Sequence, residues 1–114
     1  MKKAAIKIAF IVLLIQGGIV KAQKIYSTNY DYQADIKVFV VSHDYKADLL
    51  VYKVDAEYKA VNNKGLWFFV DNDYQADKKV FFTNHDYQAD LKIYFVEHSY
   101  QAAWKNIEKK HLLY

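Results

Sequence analysis

The chain has 114 residues, with 16 lysines and no arginine against 13 acidic residues, four histidines, and neither cysteine nor proline. The missing cysteines exclude a disulfide-stapled scaffold and a thiolate zinc centre. Without arginine there is no planar fork for bidentate contact to bases or phosphates, and the lysines alternate with aspartates rather than forming a basic block, so nucleic acid is not an expected partner.

Residues 1–22 read as a secretory signal peptide. Lys2 and Lys3 supply a basic start, Ala9 to Ile15 an apolar run, and Val20-Lys21-Ala22 small residues ahead of a cut. The run is broken by Gln16, Gly17 and Gly18, well short of the roughly 20 apolar residues of a spanning helix, so no membrane anchor is expected after cleavage. Lys2, Lys3, Lys7 and Lys21 leave with the leader, which puts 12 lysines against 13 acids in the mature chain. Export to the periplasm or beyond is therefore expected, with residues 23–114 forming one domain. A chain of that size hides only about 60 to 65% of its unfolded surface. The 18% of residues that are Phe, Trp or Tyr offer large rings to compensate.

In chain order, short runs rich in β-branched and aromatic residues cover Lys24 to Thr28, Ile36 to Val41, Leu49 to Val54, Leu66 to Val70, Lys78 to Thr83 and Leu91 to Val96. Their length and composition predict strands. Apolar residues occupy neighbouring positions, which face opposite ways in a strand, so enclosure on both sides is expected. From Ser99 the pattern changes, and Ala103, Trp104, Ile107 and His111 predict a capped amphipathic α-helix.

Between the runs one phrase recurs, Tyr-x-Ala-Asp. It comprises Tyr32, Ala34 and Asp35; Tyr45, Ala47 and Asp48; Tyr58 and Ala60; Tyr74, Ala76 and Asp77; Tyr87, Ala89 and Asp90; and Tyr100 and Ala102. The tyrosines are spaced 13, 13, 16, 13 and 13 residues apart, and the long interval holds Asn62-Asn63-Lys64-Gly65, which has good turn chemistry. A longer period relates Tyr32, Tyr45 and Tyr58 to Tyr74, Tyr87 and Tyr100, so the chain is a duplicated three-repeat unit. Thirteen residues supply one strand and one turn, too little for a solenoid coil, and a compact closed arrangement fits better.

Asp31-Tyr-Gln-Ala-Asp-x-Lys-Val-Phe39, with its echoes at positions 44–48, 73–77 and 86–90, resembles the seven-one septoil knot domain, a small bacterial family. The resemblance implies a path wound into a seven-crossing torus knot and carries no reaction, substrate or catalytic residue. The expected fold is thus a single, mainly β domain of about six short strands with a C-terminal α-helix on a deeply knotted path.

For the repeated phrase, the plain expectation is structural. The tyrosine ring packs on the edge of the core, alanine leaves room for a crossing chain, and Asp35, Asp48, Asp77 and Asp90 bond nearby backbone N–H groups in tight turns. Paired acids such as Asp31/Asp35 and Asp73/Asp77 raise a calcium site as an alternative, without an EF-hand loop to support it. His43, His85 and His98 share one repeat position and lack the ligand set that zinc requires. Repeated acids are poor candidates for a glycosidase, because equal environments do not push two pKa values apart. A fibre-forming role for Val38–Val41 and Ile93–Val96 is opposed by Lys37, Lys79 and Lys92 as gatekeepers. The expectation is a non-catalytic exported structural or binding module without catalytic, metal or cofactor residues. Its expected partner is a protein or glycan of the cell envelope.

Overall fold

The computed structural model describes residues 23–114, and the leader reading lies outside the described residues. Seven strands are present there: β1 Lys24–Ser27, β2 Ile36–Val40, β3 Leu49–Lys53, β4 Leu66–Phe69, β5 Lys78–Phe82, β6 Leu91–Phe95 and β7 Ala103–Trp104. Six of them fall within one residue of the runs predicted from β-branched and aromatic content. A 3₁₀ turn precedes each strand from β2 to β7, covering Asp31–Gln33, Asp44–Lys46, Glu57–Lys59, Asp73–Gln75, Asp86–Gln88 and Ser99–Gln101.

The strands form a parallel barrel in the order β4-β1-β5-β2-β6-β3, closed by pairing of β3 with β4. The short β7 adds to the outside of β3, antiparallel, with Leu49 opposite Trp104. Strands consecutive in sequence are not neighbours, except β3 and β4. β1 and β2 flank β5, and β2 and β3 flank β6. The chain therefore makes one lap through alternate places with β1, β2 and β3, and a second lap fills the gaps with β4, β5 and β6. The duplication seen in the sequence is thus an interleaving of two halves. The inserted Asn62 to Gly65 allows the one step between adjacent strands, using left-handed φ values of 69° at Asn62, 43° at Asn63 and 94° at Gly65.

Side chains alternate across each strand. Ile25, Val38, Leu49, Val51, Trp67, Val80, Leu91 and Ile93 point inward and are fully buried. Phe39, Tyr52, Phe68, Phe81 and Tyr94 lie on the outer face and are half-buried, so the expected enclosure is complete inside and partial outside. At the C-terminal mouth Phe69, Phe82 and Phe95 pack on the core, with Lys53 Nζ 4.6 Å from the Phe95 ring centroid. Leu113 seals the opposite mouth, 1% exposed.

The C-terminal helix is a 3₁₀ helix over Ile107–Leu113 rather than an α-helix starting at Ser99. Ser99-Tyr-Gln instead forms one more of the repeat's turns, followed by β7. Trp104 is held by strand pairing and by its Nε1, which donates to the Asn63 carbonyl at 2.8 Å. Tertiary bonds thus override a weak helical pattern. Ile107 and His111, expected on a packed face, are exposed, and Leu112 and Leu113 do the packing.

Candidate functional site: a girdle of tyrosines

Each repeat turn is closed by the alanine N–H donating to the carbonyl three residues before it, as from Ala34 to Asp31 at 3.2 Å and from Ala76 to Asp73 at 3.1 Å. Because the turn satisfies its own backbone, the following aspartate is free to bond elsewhere. Asp35 N–H donates to the Lys79 carbonyl at 2.8 Å, and Lys79 N–H donates to Asp35 Oδ2 at 2.8 Å. The same two-way clasp joins Asp48 to Lys92, Asp77 to Lys24 and Asp90 to Lys37.

This corrects the expected tight-turn role for these aspartates. Their carboxylates cap N–H groups of strands 44 or 53 residues distant in sequence. Lys24, Lys37, Lys79 and Lys92 receive the clasp through their main-chain N–H and carbonyl groups, so it does not call on the lysine side chains. Leu50, opposite Ala103, stands at the matching place where the clasping residue lacks a carboxylate. Asp48 does more than the others. Its carbonyl accepts the Lys105 and Asn106 N–H groups at 2.8 and 2.9 Å, and its carboxylate meets Asn106 Nδ2 and Lys109 Nζ, each at 3.3 Å.

The tyrosines depart furthest from expectation. Instead of packing on the core edge, Tyr32, Tyr45, Tyr58, Tyr74, Tyr87 and Tyr100 are between 69% and 81% exposed. The turns that carry them run over the barrel's outer surface, touching β5, β6, β4, β1 and β3 among others, so the rings form a girdle. The alanines face the barrel instead, with Ala47 and Ala60 buried and Ala34, Ala76, Ala89 and Ala102 half-buried. Small side chains there let the turn lie close to the wall.

Four of the six rings are braced. His43 stacks on Tyr45 with centroids 5.2 Å apart, His85 on Tyr87 at 5.3 Å and His98 on Tyr100 at 5.2 Å, while Tyr30 lies 5.5 Å from Tyr32. The shared position of the three histidines, noted in the sequence, thus has a geometric use. No group of three or more His, Cys, Asp or Glu comes together among the described residues.

Between neighbouring turns the surface forms grooves that repeat with the sequence. One is lined by Phe39, Lys46 and Asp86, a second by Phe68, Gln75 and Glu57, and a third by Tyr94, Gln101 and Asp44. In register these are the same three places: an outer-face aromatic, the residue after a motif tyrosine, and the acid before another. Each groove offers an aromatic surface beside hydrogen-bonding groups.

Residues 22–105 match the family model of the 7(1) septoil knot domain, and the chain belongs to that family. No curated protein and no solved structure matches it.

Proposed function

We propose that the protein is a non-catalytic binding module of the bacterial cell envelope, delivered there by its leader, which holds a polysaccharide against the tyrosine girdle. The exposure of all six motif tyrosines carries this reading. A large ring repeated six times for packing belongs inside, and one kept outside is available for contact. Tyrosine brings a wide, rigid, amphipathic surface at low entropic cost, and bracing by His43, His85 and His98 lowers that cost further.

Sugar rings suit such a surface, because their C–H faces lie on aromatic rings while their hydroxyls donate to nearby Asp carboxylates, accept from Lys and do either with Gln. A polymer touching several copies gains by multivalency even where each contact is weak. His43, His85 and His98 are engaged in stacks, and Asp35, Asp48, Asp77 and Asp90 in strand clasps, which favours binding over turnover. The test is retention on immobilised envelope polysaccharides: a column that fails to retain the purified domain across several polymer classes would reject the reading.

The path is read as a deep knot of the seven-crossing torus type. Support comes from family membership, from two interleaved laps of strands, and from a C-terminal segment that packs back over the barrel mouth. A module of this build has no need of disulfides to persist outside the cytoplasm, since a threaded chain must be withdrawn before it unfolds.

A further inference from the structure

Gln23 stands at the first inward-facing position of β1's repeat, where the matching residues are Ile36, Leu49 and Leu91, all buried. An amide is costly there unless both of its ends find partners. Gln23 is 1% exposed, its Nε2 donates to the Leu113 carbonyl at 3.0 Å, and its Oε1 is buried with no partner. The matching residue ahead of β5's core is Lys78, half-buried at the same mouth. Packing alone does not account for a glutamine at position 23.

The main chain of Gln23 uses one donor and one acceptor. Its N–H donates to the Ala60 carbonyl at 2.8 Å, and its carbonyl accepts from Phe68 N–H at 2.9 Å. Cleavage after Ala22 would replace that single N–H by a charged ammonium with three protons, of which the barrel bonds one. We infer that the mature chain begins with pyroglutamate, formed from Gln23. The unprotonated amine attacks its own side-chain Cδ, the N–Cδ bond forms as the Cδ–Nε2 bond breaks, and Nε2 leaves as ammonia with one proton from the amine. Nothing is oxidised or reduced, and no co-reactant is consumed.

The lactam keeps one N–H for Ala60 and the residue's own carbonyl for Phe68, and it removes the charge. What it gives up is the Nε2 bond to Leu113, so the ring closes before the C-terminal segment seats. The inference rests on cleavage after Ala22 and is independent of what the girdle binds.

The test is export of the full chain, leader included, from a Gram-negative host, followed by intact mass, N-terminal peptide mass and chemical N-terminal sequencing. The expected product starts at residue 23, is lighter by one ammonia than the glutamine form, and is blocked to sequencing. Treatment of the unfolded chain with pyroglutamyl aminopeptidase should then expose Lys24. A chain starting at Gln23 with a free amine would overturn the modification and leave the cleavage standing. A chain starting elsewhere would overturn both.

Discussion

Asp90 and Lys37 are joined in both directions: the Asp90 N–H donates to the Lys37 carbonyl at 2.8 Å, and the Lys37 N–H returns a bond to Asp90 Oδ2 at 2.8 Å. Aspartate at the head of one strand thus fixes the register of another strand from the other half of the chain. Removing the carboxylate leaves the lysine N–H to water, because the site is exposed. Asp90→Ala is expected to cost about 1 kcal/mol, and Asp90→Asn, which retains an acceptor, less. Denaturant midpoints check both, and an Ala variant as stable as wild type would remove the clasp from the account.

Asp48 should stand apart from its repeat equivalents. Besides its clasp it anchors Lys105, Asn106 and Lys109 of the C-terminal segment, and its side chain is 14% exposed. Asp48→Ala is expected to cost about 3 kcal/mol, because Lys92 N–H, Asn106 Nδ2 and Lys109 Nζ lose one partly buried acceptor together, while the Lys105 and Asn106 N–H bonds to the main-chain carbonyl remain. Equal losses for Asp48→Ala and Asp90→Ala in the same denaturant series would contradict this.

Gly65 lies at φ 94°, and a Cβ there would overlap the Leu50 carbonyl oxygen. Its own carbonyl accepts from Tyr52 N–H at 2.8 Å, so the close approach belongs to the β3–β4 closure of the barrel. Gly65→Ala is expected to destabilise by more than about 2 kcal/mol, since strain and overlap act together. A melting temperature unchanged by the substitution would show that the closure is looser than described.

Leu113 fills the barrel mouth with the core cluster around it. Leu113→Ala is expected to cost about 2 to 4 kcal/mol, with the cavity left beside Gln23 setting the value. Calorimetry or denaturant unfolding measures it, and a loss below that of an ordinary surface substitution would mean that the segment does not seal the mouth.

If the path is threaded, unfolding is slow. The rate in denaturant, extrapolated to water, should fall below about 10⁻⁶ s⁻¹, the slow end of the range for ordinary small domains. Chevron kinetics on the wild-type chain test it, and a rate in the ordinary range would speak against the knot.

The strands were legible because one repeat wrote the same signal six times: an inward aliphatic such as Val38 beside an outward aromatic such as Phe39. Pairing was not legible, since the Asp35 clasp reaches Lys79 and no local rule connects strand heads 44 residues apart. Exposure of the tyrosines was misread because a recurring aromatic resembles a core residue until the turn that carries it is placed. The stretch from Ser99 was misread for a related reason: Tyr100-Gln-Ala102 has good helical propensity, yet it is the same turn as Tyr87-Gln-Ala89 in another copy. The receiving end of each clasp is main chain, which any residue with an N–H supplies, so the clasp's partner leaves no mark of its own in the residue types.

The most direct measurement compares polysaccharide binding by the wild-type domain with that of a Tyr74→Ser, Tyr87→Ser, Tyr100→Ser chain on the same immobilised envelope polymers. Each ring is at least 78% exposed, so the variant should keep its fold, with each substitution changing stability by less than about 0.5 kcal/mol. The account predicts retention of the wild type and at least a tenfold loss of affinity in the variant at unchanged melting temperature. Equal retention of both chains, or of neither, would contradict it.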